Sequence, residues 1–145
     1  MKPEETIDFP LRWAWHSLTK YYNKEAQKNG ISFTIGYALL NIHPVDGILS
    51  SKIAPSLGME PGSLTRTLKS MEENGLITRN PDKSDKRKVW LYLTSLGKEK
   101  RAVARETVVG LNERLFEQLG KRQRNSYVHL MQEINDLLKQ ENNTD

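Results

Sequence analysis

Residues 60–94 read EPGSLTRTLKSMEENGLITRNPDKSDKRKVWLYLT, and the pattern in this stretch decides the fold. Glu60-Pro61 puts a proline where the first turn of a helix tolerates it, because the missing N–H has no intrahelical partner there. Leu64, Leu68 and Met71 follow at i, i+4 and i+7, the inward stripe of an amphipathic helix, and Asn74-Gly75 ends that helix in a left-handed cap. Residues 76–79 predict a short strand and residues 80–87 a polar turn. Residues 88–93 predict a second strand, with Val89, Leu91 and Leu93 alternating against Lys88, Trp90 and Tyr92. The result is a helix followed by a two-stranded hairpin with a charged tip. With the apolar stripe inward, the opposite helix face carries Gly62, Ser63, Thr65, Arg66, Lys69 and Ser70, which are small, hydroxylic or cationic groups.

Working outward, residues 10–28 carry Leu11, Trp15, Leu18 and Tyr22 at spacings of 4, 3 and 4, an amphipathic helix stopped by Asn29-Gly30. Phe9, Trp13 and His16 form a second stripe, so this helix is expected to touch two neighbours. Ser32 caps a helix with Ile35, Ala38, Leu39 and Ile42 that ends at His43-Pro44. Ser50 or Ser51 starts a segment over 52–57, closed by Gly58, in which Pro55 removes one backbone donor and predicts a short or irregular helix. Downstream, Thr94 caps a long helix through Val103, Thr107, Leu111 and Leu115 to Leu119-Gly120. A last helix carries Tyr127, Met131, Ile134 and Leu138. The class is therefore mostly α with a small β-hairpin wing. Helix, turn, helix and hairpin in this order make a winged helix-turn-helix, whose second helix enters a major groove while the hairpin tip reaches the adjacent minor groove. Residues 31–110 are assigned to this DNA-binding lobe, and residues 1–30 with 111–145 to a helical dimerisation lobe.

The charge agrees with a nucleic-acid partner. The 145 residues carry 22 Lys+Arg against 18 Asp+Glu, a net charge of +4, with a sequence pI near 9.3. All of that excess lies between Glu60 and Arg101, which hold ten basic and six acidic residues. With no cysteine, the chain has no disulfide scaffold, thiolate metal site, cysteine nucleophile or thiol switch. His16, His43 and His129 lack metal-site spacing, and no nucleophile elbow, phosphate-binding loop or dinucleotide fingerprint occurs, so neither metal, cofactor nor catalysis is expected. The run Tyr37-Ala38-Leu39-Leu40 is far too short to span a bilayer, and the acidic start is unlike a signal peptide. These features predict a soluble, cytoplasmic protein with no membrane partner.

The run Gly58-Met59-Glu60-Pro61-Gly62-Ser63-Leu64-Thr65-Arg66-Thr67-Leu68, then Glu72-Glu73-Asn74-Gly75-Leu76-Ile77, Asp85-Lys86-Arg87 and Leu93-Thr94 resembles the MarR family of bacterial transcription regulators. The wing pattern Asp-x-Arg before a strand ending in Leu-Thr is its most specific part. The resemblance implies a homodimer built on the first and last helices and, as in many members, release of DNA when a small organic anion binds. It also implies that Arg87 enters the minor groove and that Asp85 orients the wing. Glu60, at a cap position usually held by Ser, Thr or Asp, and Pro55 inside the preceding helix depart from the pattern.

From these readings Gly62 and Ser63 are expected to let a phosphate approach the helix N-terminus, and Arg66 to meet a guanine edge. Thr65, Lys69, Ser70, Ser84, Lys86 and Arg87 complete the expected contacts with double-stranded DNA. Dimerisation is assigned to Ile7, Phe9, Tyr127, Met131, Ile134 and Leu138. The first two helices hold more aromatic surface than a helix seam needs. Trp13 and Tyr37 are therefore assigned as flat walls, and His16 or Arg12 as the partner of a carboxylate, in a site for a small aromatic or acyl carboxylic acid. The expected function is a homodimeric repressor released by such an acid from a pseudo-palindromic operator. The alternatives are a DNA-binding or architectural protein without effector and, further off, an enzyme of unknown type.

Overall fold

The computed structural model describes residues 1–143. After a 3-10 turn at Pro3–Glu5 come α1 (Asp8–Lys28), α2 (Phe33–Leu40), β1 (Ile48–Leu49), α3 (Ser50–Leu57), α4 (Pro61–Glu73), β2 (Ile77–Pro81), β3 (Val89–Leu93) and α5 (Ser95–Asn142). The chain separates into two compact units, Met1–Thr107 and a second beginning at Val108.

The first unit holds the core. Ala38, Leu39 and Ile42 from α2 and its end, Ile53 from α3, and Leu64, Leu68 and Met71 from α4 pack with Leu76, Ile77, Leu91 and Leu93. The α4 stripe and the alternation of β3 thus point inward as their spacing predicts. The winged helix-turn-helix is built from α3, α4 and the sheet. Pro55 is accommodated in an eight-residue α3, and Glu60 stands before α4 with no capping bond from its side chain. Ser32 caps α2 by accepting from the Ile35 N–H.

β2 runs on to Pro81, two residues into the turn expected over 80–87, and three further features differ from the sequence reading. The wing is a three-stranded antiparallel sheet in the order β1-β3-β2, because Ile48 and Leu49 pair with Leu91 and Trp90. A two-residue strand is too short to leave an alternation pattern, and only the tertiary approach of its backbone to β3 creates it. The second difference is α2, which stops at Leu40. Asn41 caps it with Nδ2 donating to the Tyr37 carbonyl, so the helix ends before His43-Pro44. Last, α1 begins at Asp8 and absorbs Pro10 in its first turn, where no backbone donor is lost.

The start of α5 is fixed tightly. Thr94 Oγ1 accepts from the Gly97 N–H and donates to the Gly75 carbonyl at 2.6 Å, while the Thr94 N–H donates to the Leu76 carbonyl. Gly97 lies so close to Leu76 that a Cβ there would overlap the Leu76 carbonyl oxygen. Further along, Lys100 Nζ donates to the Asn29 carbonyl and Arg101 Nε to that of Ile42. Helical backbone geometry is broken at Gly120 (φ 74°, ψ 161°), where the sequence reading divides two helices. No helix among the described residues is long and apolar enough to cross a membrane.

Candidate nucleic-acid interface

The outward face of α4 follows from its inward one. Leu64, Leu68 and Met71 are buried, which leaves Gly62, Thr65, Arg66 and Lys69 in solvent and Ser63 and Ser70 half-buried. Arg66 has no hydrogen-bond or ion-pair partner among the described residues. Nothing lies within 4 Å of where a Cβ on Gly62 would stand, so glycine there leaves the first turn open to a close approach. Thr65 Oγ1 donates to the Pro61 carbonyl and keeps its lone pairs free. Toward the other end the side chains are more engaged. Lys69 faces Glu73 at 3.7 Å, and Ser70 accepts from Asn74 at both its carbonyl and its hydroxyl. An ion pair of 3.0 Å between Arg79 Nε and Glu72 Oε2 ties β2 to the end of α4.

The tip of the wing is built by two carboxylates. Asp82 Oδ1 accepts from the Ser84 N–H, the Ser84 hydroxyl and the Asp85 N–H, and Oδ2 accepts from the Trp90 indole N–H at 2.7 Å. The Ser84 hydroxyl, then the indole, then the two backbone donors hold this carboxyl well below the usual carboxylate range. Asp85 accepts from the Arg87 backbone N–H and Nε on Oδ1 and from its Nη2 on Oδ2, a fork that also lowers its pKa. Arg87 is nonetheless 91% exposed, because the fork uses one edge of the guanidinium and leaves the rest in solvent. Ser84 and Lys86 are exposed beside it. The wing residues expected from sequence thus come together in one turn, with Asp85 on the arginine. Sequence reading passed over Asp82 and Trp90. The signal for Asp82 is its place two residues before Ser84, the spacing of a side chain that caps its own turn.

The residues assigned to an effector are less closely grouped. Trp13 meets His16 and Phe9 edge-on, at 5.9 and 6.4 Å between ring centroids. Tyr37 belongs to a different set, stacked on Phe33, which stacks in turn on Tyr22 and meets Trp15. Arg12 is exposed. His16 and Phe33 line a groove of about 290 Å³ with Thr19, Lys20 and Asn23. A larger groove of about 530 Å³, not foreseen from sequence, has Asn23, Ser32 and Lys100 together with Ile31, Ile35 and Leu96 in its wall.

The residues assigned to dimerisation remain open. Ile7, Phe9, Tyr127 and Leu138 are exposed and Met131 and Ile134 half-buried. No described residue of α1, and none from Val108 onward, is buried.

Comparison with known proteins gives a consistent result. The model of the MarR family matches residues 37–89, from α2 to the first residue of β3. The organic hydroperoxide resistance transcriptional regulator of Bacillus subtilis (strain 168) is 34% identical over 122 residues, covering 82% of this chain and 83% of the relative. Among solved structures, the transcriptional repressor CouR bound to a 23-mer DNA duplex is 24% identical with a TM-score of 0.79, covering 91% of this chain and 94% of that one. CouR from Rhodococcus jostii RHA1 bound to p-coumaroyl-CoA is 21% identical with a TM-score of 0.78, covering 92% and 94%. At these identities the solved structures speak for the shared winged-helix fold alone.

Proposed function

The chain belongs to the MarR family of DNA-binding transcription regulators, and on that footing we propose that it acts as a homodimeric repressor that leaves its operator when a small aromatic or acyl carboxylic acid binds. One observation carries the DNA part of the reading. Within a single unit, α4 offers an unpaired Arg66 to solvent while the wing offers Arg87, exposed yet held by the Asp85 fork. A helix that reads base edges and a wing arginine for the minor groove fit the two grooves of one duplex face. Gly62 and Ser63 serve the phosphate at the N-terminus of α4, with Thr65, Lys69 and Ser70 along α4 and Ser84 and Lys86 on the wing as further contacts.

The dimer follows from exposed apolar surface. No described side chain of α1, and none from Val108 onward, is fully buried, and the stripe of Tyr127, Met131, Ile134 and Leu138, together with Ile7 and Phe9, calls for a second copy as cover. For the effector, Trp13 and His16 on α1 and Tyr37 on α2 supply flat apolar walls and a partner for a carboxylate, with Arg12 as a second cation. CouR, which shares the fold, is known bound to an acyl thioester of an aromatic acid.

Gel-shift titration against duplexes selected by the protein from a randomised pool tests the assignment. Arg66→Ala and Arg87→Ala should each weaken the selected duplex, and unchanged affinity in both refutes the interface.

A further inference from the structure

Trp90 stands on β3, the middle strand, opposite Leu49 of β1 and Asn80 of β2. Its neighbours Leu91 and Leu93 are in the core, and Trp90 itself is half-buried. Its ring stacks on Tyr92, with centroids 6.2 Å apart and planes 23° from parallel. The Tyr92 ring lies against Gly47, where a Cβ would come within 2.8 Å of it and would also collide with the Leu91 carbonyl; the positive φ of 68° at Gly47 suits the same residue. At its other end the indole N–H reaches the Asp82 carboxylate, which organises the turn that carries Asp85, and Asp85 holds Arg87. Contacts therefore run without a gap from Gly47 through Tyr92, Trp90, Asp82 and Asp85 to Arg87.

The tip itself has no apolar anchor. Residues 83–88 are all polar or charged, and beyond Pro81↔Val89 the backbone ladder continues only through Asp82 N–H to the Lys88 carbonyl and Lys88 N–H to that of Asp85. An exposed turn of this kind is ordered by its side-chain bonds, and any order it lacks beforehand has to be supplied on binding. Packing on the sheet face asks only for an aromatic ring at position 90. The bond to Asp82 asks for an indole N–H.

We propose that Trp90 and Asp82 are positioning residues for the DNA interface: the indole–carboxylate clasp fixes the tip so that Arg87 is presented in a single orientation, and it sets operator affinity without touching DNA. This rests on the reading of Arg87 as the wing contact. Trp90→Phe keeps the ring and removes the donor, and Asp82→Asn keeps an acceptor for the turn while weakening the clasp.

The test is a cycle of Trp90→Phe, Arg87→Ala and their double variant, measured by fluorescence anisotropy on a 30-base-pair duplex selected by the parent protein from a randomised pool, with thermal unfolding of each. If Trp90 acts through Arg87, Trp90→Phe weakens binding about three- to tenfold, within the coupling range of contacting residues. In the Arg87→Ala background it should cost less than about twofold. Losses that simply multiply in the double variant overturn the proposal, as does parental affinity in Trp90→Phe when Arg87→Ala is weakened. Parental affinity in Arg87→Ala removes the wing reading and the clasp with it. If Trp90→Phe unfolds, Asp82→Asn takes its place in the same cycle with the same outcomes.

Discussion

Arg66 and Lys86 are both exposed cations, yet their surroundings suit them to different work in the proposed interface. Arg66 stands on the face of α4 opposite Leu64 and Leu68, where a planar fork of donors can pair with the two acceptors of a guanine edge. Arg66→Ala should cost about 1–3 kcal/mol on the preferred duplex and relax its sequence preference. Lys86 lies in the wing turn and offers a point charge. Lys86→Ala should weaken all sequences alike and reduce the salt slope by about one, as read from titrations at several salt concentrations. Asp82 gives a pH prediction. Its folded-state pKa is depressed, chiefly by the Ser84 hydroxyl and then the Trp90 indole, so its contribution is present above the ordinary carboxylate range and is lost as pH falls below it. In an NMR titration the Trp90 indole N–H should keep its folded shift through the ordinary carboxylate range. A change at ordinary carboxylate pKa would show that the clasp is open in solution.

At the scale of elements, the junction between wing and α5 is tightly constrained. Thr94 and Gly97 act together there, the threonine bonding the Gly75 carbonyl and the Gly97 N–H, the glycine letting the helix pass close to the Leu76 carbonyl. Gly97→Ala therefore has to push two backbone segments apart. It should destabilise the protein by about 1–3 kcal/mol, the usual cost of overpacking, despite the better helix propensity of alanine. Thr94→Ala, which removes a cap, should cost about 1 kcal/mol. Urea unfolding measures both, and a neutral Gly97→Ala would mean that α5 sits further from Leu76 than described. On the same scale, the ion pair Arg79–Glu72 links β2 to the end of α4.

At the scale of the molecule, the proposed dimer makes stability and function depend on what covers the apolar stripes. The core is confined to the first unit, while Tyr127, Leu138, Ile7 and Phe9 remain exposed in a single copy. Ile134→Lys should therefore yield monomer or aggregate in light scattering, and a folded, tightly binding monomer would refute the dimer. In a dimer the two α4 helices would meet successive major grooves about 34 Å apart, so the selected duplexes should contain half-sites about one helical turn from each other. An aromatic or acyl carboxylic acid that quenches tryptophan fluorescence should lower DNA affinity with a coupling of about 1–3 kcal/mol. Trp13→Ala and His16→Ala should each blunt that response with ligand-free DNA binding nearly intact. A parental response in both would place the effector elsewhere, the groove at Asn23 and Lys100 being the next place to look.

What the sequence by itself determined is whatever is encoded locally. The 3.6-residue stripe of Leu64, Leu68 and Met71, the alternation of Leu91 and Leu93, the serine cap at Ser32 and the break at Gly120 each act within a few residues, so spacing alone revealed α4, β3, the start of α2 and the division of the last helices. The basic excess over residues 60–101 likewise marked the segment proposed to face DNA. Tertiary structure decided the contacts between positions far apart in the chain or hidden by a side chain's second role. Ile48 and Leu49 become a strand only because β3 arrives beside them some forty residues later. Trp90 reads as the outward half of an alternating pair, since hydropathy registers its ring and not its N–H, and only the folded turn brings Asp82 within 2.7 Å of it. A pattern reports which face is apolar, whereas a directional bond depends on where the chain returns.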